Sequence, residues 1–130
     1  MEISFNGRVY FTPKDLTCQC GCGTATYAKG FPEALLALRL AFNRPMNLNS
    51  ACRCPAHNQK SGGAKQSYHL SNNPVSLGAC AIDVRRVGAE YDTDLVKLAL
   101  ALNWSVGFHK AFIHLDRRVD FGQTQLTFLY

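Results

Sequence analysis

The sequence predicts a single α+β domain over residues 1–130, with a small antiparallel sheet that carries the candidate site, two main flanking helices and a long irregular segment. Segments with strand-like alternation stand beside two segments with helical periodicity, and several connections are of hairpin length. With 130 residues, 47% hydrophobic and 18% charged, the chain is long enough for one compact core. No apolar run approaches the ~20 residues of a membrane span, so no membrane insertion is expected.

The first predicted element is a β-hairpin over residues 2–11. Residues alternate on either side of Asn6-Gly7, and this dipeptide favours a type I′ turn, which needs positive φ at both central positions. Thr12 is the predicted cap of a short helical turn that begins at Pro13. Residues 18–24, with three cysteines and two glycines, follow as a loop.

A longer helix is predicted from Pro32, a favoured first helical residue, to about Phe42. Its leucines give it a broad buried face, and Pro45 lies just beyond its end. A short strand is predicted over residues 46–50. Residues 54–78 are rich in Gly, Ser, Asn and Pro, and they predict a long irregular segment. Loops of this length in compact domains usually have a function or are mobile.

The second half of the chain predicts one helix and four strands. Asp92 or Thr93 is the predicted cap of the helix, which continues to about Leu102 with an apolar face. The strands are predicted over Ala79–Val84, Ser105–Phe108, Ala111–Asp116 and Gln125–Leu129, the middle two joined at His109-Lys110. Hairpin-length connections favour antiparallel pairing of these strands.

The charge of the chain indicates its partner only weakly. The formal net charge of +5 fits a polyanionic partner, either nucleic acid or an anionic cell wall. The 14 basic residues are spread along the sequence, however, with no run longer than two, which is equally typical of a solvated surface. The first residues lack the basic start and apolar core of a secretory signal. We therefore expect synthesis in the cytoplasm without a signal peptide.

The segment Phe112-Ile113-His114-Leu115-Asp116 is the most informative for chemistry. Side chains alternate along a strand, so His114 and Asp116 share one face while Ile113 and Leu115 take the other. A strand that turns two apolar residues to a core presents this polar pair together. The pair suits a metal ligand beside a second polar group, and equally a surface His and Asp at a strand end.

Two further segments contain candidate site residues. Asp83 closes the apolar run Ala79–Val84, and an acid in such surroundings is costly to bury unless it is paired or bound to a metal. The alternative is a strand-end aspartate paired with Arg85 or Arg86. Arg53, in a segment that also contains His57, either clamps a carboxylate through two hydrogen bonds or is an ordinary surface arginine.

Together these segments resemble the zinc D-alanyl-D-alanine carboxypeptidase family of peptidoglycan peptidases (peptidase family M15), which includes phage endolysins and has a Hedgehog-like fold. Each matching segment is weak alone, but the ordered set is specific, and the early CQCGCG also resembles a cysteine-rich stretch common in these proteins. The matching segments lie between residues 11 and 118 and read Ser50…Arg53-Cys54-Pro55-Ala56-His57-Asn58, Gly62-Gly63, Ser67-Tyr68-His69, Ala81-Ile82-Asp83 and Phe112-Ile113-His114-Leu115-Asp116.

The resemblance implies a zinc ion held by His69, Asp83 and His114. Two histidines and one carboxylate leave a fourth coordination position open, as catalytic zinc requires, whereas a structural site would use four protein ligands. One departure from the family pattern concerns the spacing. Asp83 follows His69 by fourteen residues, more than is usual in the family, so residues 70–78 contain an apparent extra loop. This loop either bulges outward or reshapes the substrate pocket.

A second departure concerns the general base. Many relatives place an acid three residues before the last zinc ligand, where this chain has Ala111. Asp116 is the first candidate for this role and His109 the second, although Asp116 could instead fix the ring of a histidine ligand. The resemblance implies that Arg53 stabilises the scissile carbonyl or grips a terminal carboxylate. Ser67 is a candidate substrate-binding residue or a strand-end cap.

The six cysteines allow several interpretations. Cys18, Cys20, Cys22 and Cys54 could hold a structural metal, but the single-residue spacing within the CxC pairs is less usual than that of zinc ribbons. A disulfide such as Cys18–Cys54 and free buried thiols are the alternatives. Because no signal peptide is expected, metal binding or free thiols are favoured over a disulfide framework. Cys52 belongs to the second CxC pair, and Cys80 is predicted to lie in the core.

The function predicted from these residues is zinc-dependent cleavage of peptide bonds in peptidoglycan stem peptides, as a carboxypeptidase or endopeptidase. The chain is expected to be a monomeric lytic enzyme of phage or virus type that reaches the cell wall after release. The alternative is a non-catalytic zinc-containing module of the same fold, favoured by Ala111. A basic zinc module that binds nucleic acid is disfavoured, because it leaves His69, Asp83 and His114 unexplained.

Overall fold

The computed structural model describes all residues from 1 to 130 and is a mixed α+β fold, as predicted. A two-stranded hairpin precedes a five-stranded sheet of order β3-β4-β6-β5-β7. The strands are β1 (Ile3–Phe5), β2 (Arg8–Phe11), β3 (Leu48–Ser50), β4 (Ala81–Arg85), β5 (Ser105–Phe108), β6 (Phe112–Asp116) and β7 (Thr127–Leu129). The helices are α1 (Pro13–Leu16), α2 (Phe31–Phe42), α3 (Pro55–Lys60) and α4 (Ala89–Ala101), with a 3-10 turn at Arg118–Phe121.

Local sequence signals at the N-terminus are confirmed. Asn6 and Gly7 both have positive φ, 51° and 77°, and connect β1 to β2. Thr12 caps α1 through a reciprocal arrangement: its hydroxyl accepts from the Asp15 amide, and the Asp15 carboxylate accepts from the Thr12 amide at 2.8 Å. These bonds satisfy backbone donors at the start of the helix, which otherwise have no partner within it.

The hydrophobic core lies between the helices and one face of the five-stranded sheet. The longer helices α2 and α4 contact each other, and α4 also packs on β5 and β6. Apolar side chains from both helices meet those of three central strands, and Trp104 is almost completely buried beside them. The strand residues in this core are Ile82, Val84, Val106, Ile113 and Leu115. None of the helices is long and apolar enough to cross a membrane.

Three details differ from the sequence prediction. The helix α4 begins at Ala89, before Asp92 and Thr93, because the Asp92 carboxylate is not a cap but accepts from the Val87 amide and from the Arg86 guanidinium, both at 3.0 Å. The segment predicted to be irregular contains α3 directly after Cys54. The last strand, β7, pairs with β5 in parallel, so the sheet is not wholly antiparallel.

The extra loop over residues 70–78 is held by a buried asparagine. The side-chain nitrogen of Asn73, Nδ2, donates to the backbone carbonyls of Gln66 and Ser67 at 3.1 and 3.0 Å. Its side-chain oxygen, Oδ1, accepts from the backbone amides of Val75 and Ser76. Asn73 is only 1% exposed. None of residues 70–78 lines the cleft described below. The bonds of Asn73 fasten the loop to Gln66 and Ser67, which do line it.

Replacing Asn73 with alanine is expected to destabilise the fold, because four polar partners lose their hydrogen bonds and burial keeps water from replacing them all. We expect the free energy of unfolding to fall by about 2–4 kcal/mol, measured by urea denaturation. The neighbouring Asn72 is exposed, so Asn72→Ala is the matched control and should change stability by less than about 0.5 kcal/mol. Equal losses in the two variants would show that Asn73 does not fasten the loop.

Candidate metal site and cleft

Two adjacent strands provide most of the candidate site. β4 and β6 are antiparallel, and their register places Asp83 directly opposite His114. Their neighbours Ile82, Val84 and Ile113 point into the core, so strand alternation turns both polar residues to the opposite face. Asp116 lies two residues beyond His114 on that same face.

The third member of the site, His69, comes from the loop before β4. Backbone bonds hold this loop in place: the Arg53 amide donates to the His69 carbonyl at 2.7 Å, and the Cys80 amide donates to the Tyr68 carbonyl at 2.8 Å. The Ser67 hydroxyl accepts from the His69 backbone amide at 3.1 Å and so stabilises the turn that leads into His69. His69 itself is 2% exposed.

The ligand atoms of these three residues form a nearly equilateral triangle. His69 Nε2 lies 3.0 Å from Asp83 Oδ1 and 3.3 Å from His114 Nδ1, and the third side, His114 Nδ1 to Asp83 Oδ1, measures 3.1 Å. Ligand atoms about 2.0–2.2 Å from a tetrahedral zinc ion lie about 3.3–3.6 Å from one another, a few tenths of an ångström more than the measured sides. The donor set and its spacing therefore fit a single metal ion held by His69, Asp83 and His114.

The second ring nitrogen of each histidine and the second oxygen of Asp83 point away from the metal position, and each has a hydrogen-bond partner. His69 Nδ1 lies 2.7 Å from the Ala51 carbonyl oxygen, and His114 Nε2 lies 2.7 Å from Asp116 Oδ2. Each oxygen is an acceptor, so each ring carries its proton there and leaves the other nitrogen free for a metal. The second oxygen of Asp83 accepts from the Arg53 guanidinium at 3.1 Å.

Burial and mutual charge shift the pKa values of these groups. Burial opposes ionisation of Asp83 and Asp116, but His69 and His114 hold the pKa of Asp83 well below its usual range, and Arg118 and His114 lower that of Asp116 to about 2. Burial lowers the pKa of His69. For His114, hydrogen bonds to the two carboxylates outweigh burial and raise the pKa. Both aspartates are thus ionised at neutral pH.

Arg53 is placed beside the metal group by three hydrogen bonds. Besides contacting Asp83, its guanidinium donates to Ser50 Oγ at 2.9 Å and to Asn58 Oδ1 at 3.2 Å. Its side chain is 15% exposed and lines the cleft. The five N–H groups of a guanidinium leave two for a bound molecule. Arg53 therefore holds the Asp83 carboxylate in place and keeps two N–H groups for a bound molecule.

Asp116 lies behind His114 rather than in the cleft. It has no solvent exposure, and Arg118 donates to both of its oxygens at 2.9 and 2.7 Å. With His114 and Arg118 as partners, this carboxylate has the geometry of a residue that orients a metal ligand, the alternative to its predicted role as general base.

An open cleft of about 660 Å³ leads to the histidines His69 and His114. Arg53 and Arg118 also line it, and no Asp or Glu side chain does. The remaining lining residues are Ser61, Gly62, Gly63, Ala64, Gln66, Ser67, Tyr68, His109, Phe112, Leu126, Phe128 and Tyr130.

His109 lies in the cleft wall, at the turn between β5 and β6. Its ring stacks on Phe112 with centroids 4.3 Å apart and meets the ring of Tyr130 edge-on at 5.3 Å. Nδ1 accepts a hydrogen bond from the Ala111 amide at 3.0 Å. A neutral ring that accepts at Nδ1 carries its proton on Nε2, so His109 can offer a donor to a bound molecule.

The sequence analysis did not identify Arg118, Phe128 or Tyr130 as candidate site residues, although all three line the cleft. The guanidinium of Arg118 lies over the ring of Tyr68 as well as beside Asp116. Phe128 and Tyr130 reach the cleft because Gly107, opposite His114, has no side chain; a Cβ there would lie 2.5 Å from the Phe128 ring. The spacing Asp116-x-Arg118 was the only local signal for any of them.

The predicted cysteine group is also assembled. Cys18, Cys20, Cys22 and Cys54 offer sulfur atoms that all lie within 4.8 Å of one another. All six cysteines are free thiols, so the structure contains no Cys18–Cys54 disulfide. Cys80 is buried in the core as predicted, and Cys52 is buried with its sulfur at 3.5 Å from the Thr26 carbonyl.

Fold and site together define an α+β domain with a His-Asp-His metal-binding group at an open cleft. The sequence model of one family, Peptidase M15, matches residues 9–116, and the chain belongs to this family. The match spans both candidate metal clusters and ends at Asp116, so Arg118 and β7 lie beyond it. No curated protein matches the sequence significantly.

Proposed function

We propose that this protein is a zinc-dependent peptidase that hydrolyses peptide bonds in peptidoglycan stem peptides, as a carboxypeptidase or endopeptidase. The triangle of ligand atoms facing an open cleft carries the proposal. Three protein ligands suit a catalytic zinc ion, which needs a fourth position for water or substrate. When bound, such an ion supplies a nucleophilic hydroxide near neutral pH and polarises the scissile carbonyl.

The cleft favours an anionic peptide. Arg53 and Arg118 line it and no Asp or Glu side chain does; each guanidinium is paired with a buried aspartate but retains N–H groups that this partner does not use. Peptidoglycan stem peptides carry free carboxylates, which a guanidinium binds with good geometry. The same charges, added to a net charge of +5, would favour contact with an anionic wall. This supports a lytic role at the cell wall, as in phage-type enzymes.

The remaining roles in the proposed reaction fall to three residues in or behind the cleft. Arg53 donates to the carbonyl oxygen on which charge develops, since it already lies beside Asp83. His109 donates a hydrogen bond from Nε2 to the bound substrate, where it would stabilise the transition state. Asp116 keeps the His114 ring oriented and touches no substrate.

The direct test is to incubate the zinc-loaded protein with purified peptidoglycan and with a synthetic stem pentapeptide, and to identify the products by mass spectrometry. Release of a terminal residue would identify a carboxypeptidase, and cleavage of cross-links an endopeptidase. Removal of the metal with a chelator should stop hydrolysis, and added zinc should restore it. Zinc-loaded protein that releases no fragment from either substrate would contradict the proposal.

Replacing His109 with alanine is expected to lower kcat by about 10²–10³-fold, the usual cost of removing one hydrogen-bond donor that stabilises the transition state, while zinc content stays unchanged. The readout is hydrolysis of the pentapeptide or cross-linked peptide at saturating zinc. His57→Ala is the matched control, because His57 is half-buried on α3 and outside the cleft. A kcat that is the same in both variants would remove His109 from the reaction.

A second candidate function is a non-catalytic module that binds peptidoglycan peptides. The observation that favours it is the lack of any Asp or Glu side chain lining the cleft, together with an exposed Ala111 where the family resemblance implies an acid in many relatives. Such a module would bind the stem peptide with a measurable Kd and leave it intact. Isothermal titration beside the hydrolysis assay separates the two functions.

A further inference from the structure

A second cluster of metal-binding residues lies apart from the cleft. The loop over residues 18–24 brings Cys18, Cys20 and Cys22 to Cys54, the residue before α3. The sulfur of Cys18 lies 3.5 Å from that of Cys20, which lies 3.6 Å from that of Cys54. Residues separated by more than 30 positions therefore place their sulfurs together without any disulfide.

These spacings fit four ligands around one ion. Thiolates about 2.3 Å from a tetrahedral zinc ion lie about 3.8 Å from one another, close to the two measured separations. A disulfide would need sulfur atoms about 2.0 Å apart. Four sulfurs in such an arrangement are typical of zinc or iron–sulfur sites and leave no position for water, as expected of a structural ion.

Hydrogen-bond donors surround the sulfurs, as a set of thiolates requires. The Cys54 amide donates to the Cys18 sulfur and the His57 amide to the Cys54 sulfur, both at 3.4 Å. The Cys22 thiol contacts the Thr24 hydroxyl at 3.1 Å, and this hydroxyl can donate in return to a thiolate. The negative charge of bound thiolates would thus be shared with three protein groups.

Besides its internal backbone bonds, the loop is held to another segment by the Gln19 side chain, which donates to the Asn49 carbonyl at 2.6 Å. Cys20 and Cys22 are exposed, and Gly21 and Gly23 have positive φ, which lets the chain turn tightly enough to bring the three cysteines together. The anchor point, Cys54, directly follows Arg53, whose guanidinium contacts Asp83. An ion at the cluster would therefore fasten the loop to the segment that supports the catalytic metal site.

We propose that Cys18, Cys20, Cys22 and Cys54 bind a structural zinc ion, separate from the ion at His69, Asp83 and His114. This ion closes the 18–24 loop onto the Arg53–Cys54 segment. The proposal does not depend on the proposed hydrolysis, because it concerns different ligands with a different task.

The test is the zinc content of purified protein, measured by elemental analysis in the wild type and four variants. We expect two zinc ions per chain in the wild type, one in Cys22→Ser, one in His114→Ala, and none in the double variant. Cys80→Ala is the matched control, since Cys80 lies in the core outside the cluster, and it should retain both. Because Cys22 is exposed, its replacement leaves the core intact.

Cobalt substitution identifies the ligands independently of activity. Thiolate-bound cobalt gives an intense charge-transfer absorption in the near-ultraviolet, which His114→Ala should retain and Cys22→Ser should weaken strongly. A chelator should also lower the Tm of His114→Ala protein. The proposal is overturned if His114→Ala protein contains no zinc, or if thiol alkylation and mass spectrometry of the wild type show a disulfide within the cluster.

Discussion

Replacing His114 with alanine is expected to remove the metal from the cleft and to abolish hydrolysis. The variant loses one of three ligand atoms, and the other two, on His69 and Asp83, cannot hold zinc tightly alone. A metal that polarises a carbonyl and supplies hydroxide contributes several kcal/mol to transition-state stabilisation. The rate should therefore fall by about 10³-fold or more, since each 1.4 kcal/mol is a factor of ten.

The measurement combines zinc content with hydrolysis of a stem peptide on the same preparation. His57→Ala is again the control, because it removes an imidazole that lies outside the cleft. The control should keep the zinc content and the rate of the wild type. Hydrolysis that persists in His114→Ala would show that the reaction does not depend on this metal group, whatever the state of the cysteine cluster.

Replacing Asp116 with asparagine distinguishes a positioning residue from a general base. The amide cannot accept from His114 and both Arg118 donors as the carboxylate does, so the imidazole is held less firmly. We expect zinc affinity to fall by about 10–100-fold, the usual cost of losing such a partner. Hydrolysis should fall at limiting zinc and recover at saturating zinc.

A general base would give a different result. If Asp116 accepted a proton during the reaction, saturating zinc would restore metal binding but not kcat. Asp120→Asn is the matched control, because Asp120 is an exposed carboxylate that pairs with Arg117. It should change neither zinc affinity nor kcat. Thermal unfolding of both variants separates loss of folded protein from loss of metal.

Signals within a few residues of one another predicted their elements well. The Asn6-Gly7 turn and the Thr12 cap formed as expected, because backbone conformation and short-range hydrogen bonds determine them. The start of α4 was predicted too late because Asp92 is a good cap by type, whereas its carboxylate is used by Arg86 and the Val87 amide. The place of the Phe128 ring on β7 depends on space beside Gly107 of β5, which no local pattern reveals.

In the candidate site, too, local sequence patterns predicted some features, whereas others depend on tertiary packing. The alternation of Phe112–Asp116 fixed which side chains share a face, and the resemblance to a peptidase family named His69, Asp83 and His114 as a set. The sequence could not place Asp116, because its role depends on whether water or protein surrounds it. Its complete burial against Arg118 favours a positioning residue over a general base, which the Asp116→Asn variant tests.

The sequence by itself determined the fold class, the N-terminal turn and cap and, through the family resemblance, three candidate metal ligands. Only the tertiary structure decided the distances of about 3 Å between their ligand atoms, the absence of Asp and Glu side chains from the cleft lining, and the meeting of Cys54 with the 18–24 loop. Local patterns report conformations that a few neighbouring residues select. Ligand geometry and burial instead depend on packing between segments far apart in the chain, which the periodicity of one segment does not encode.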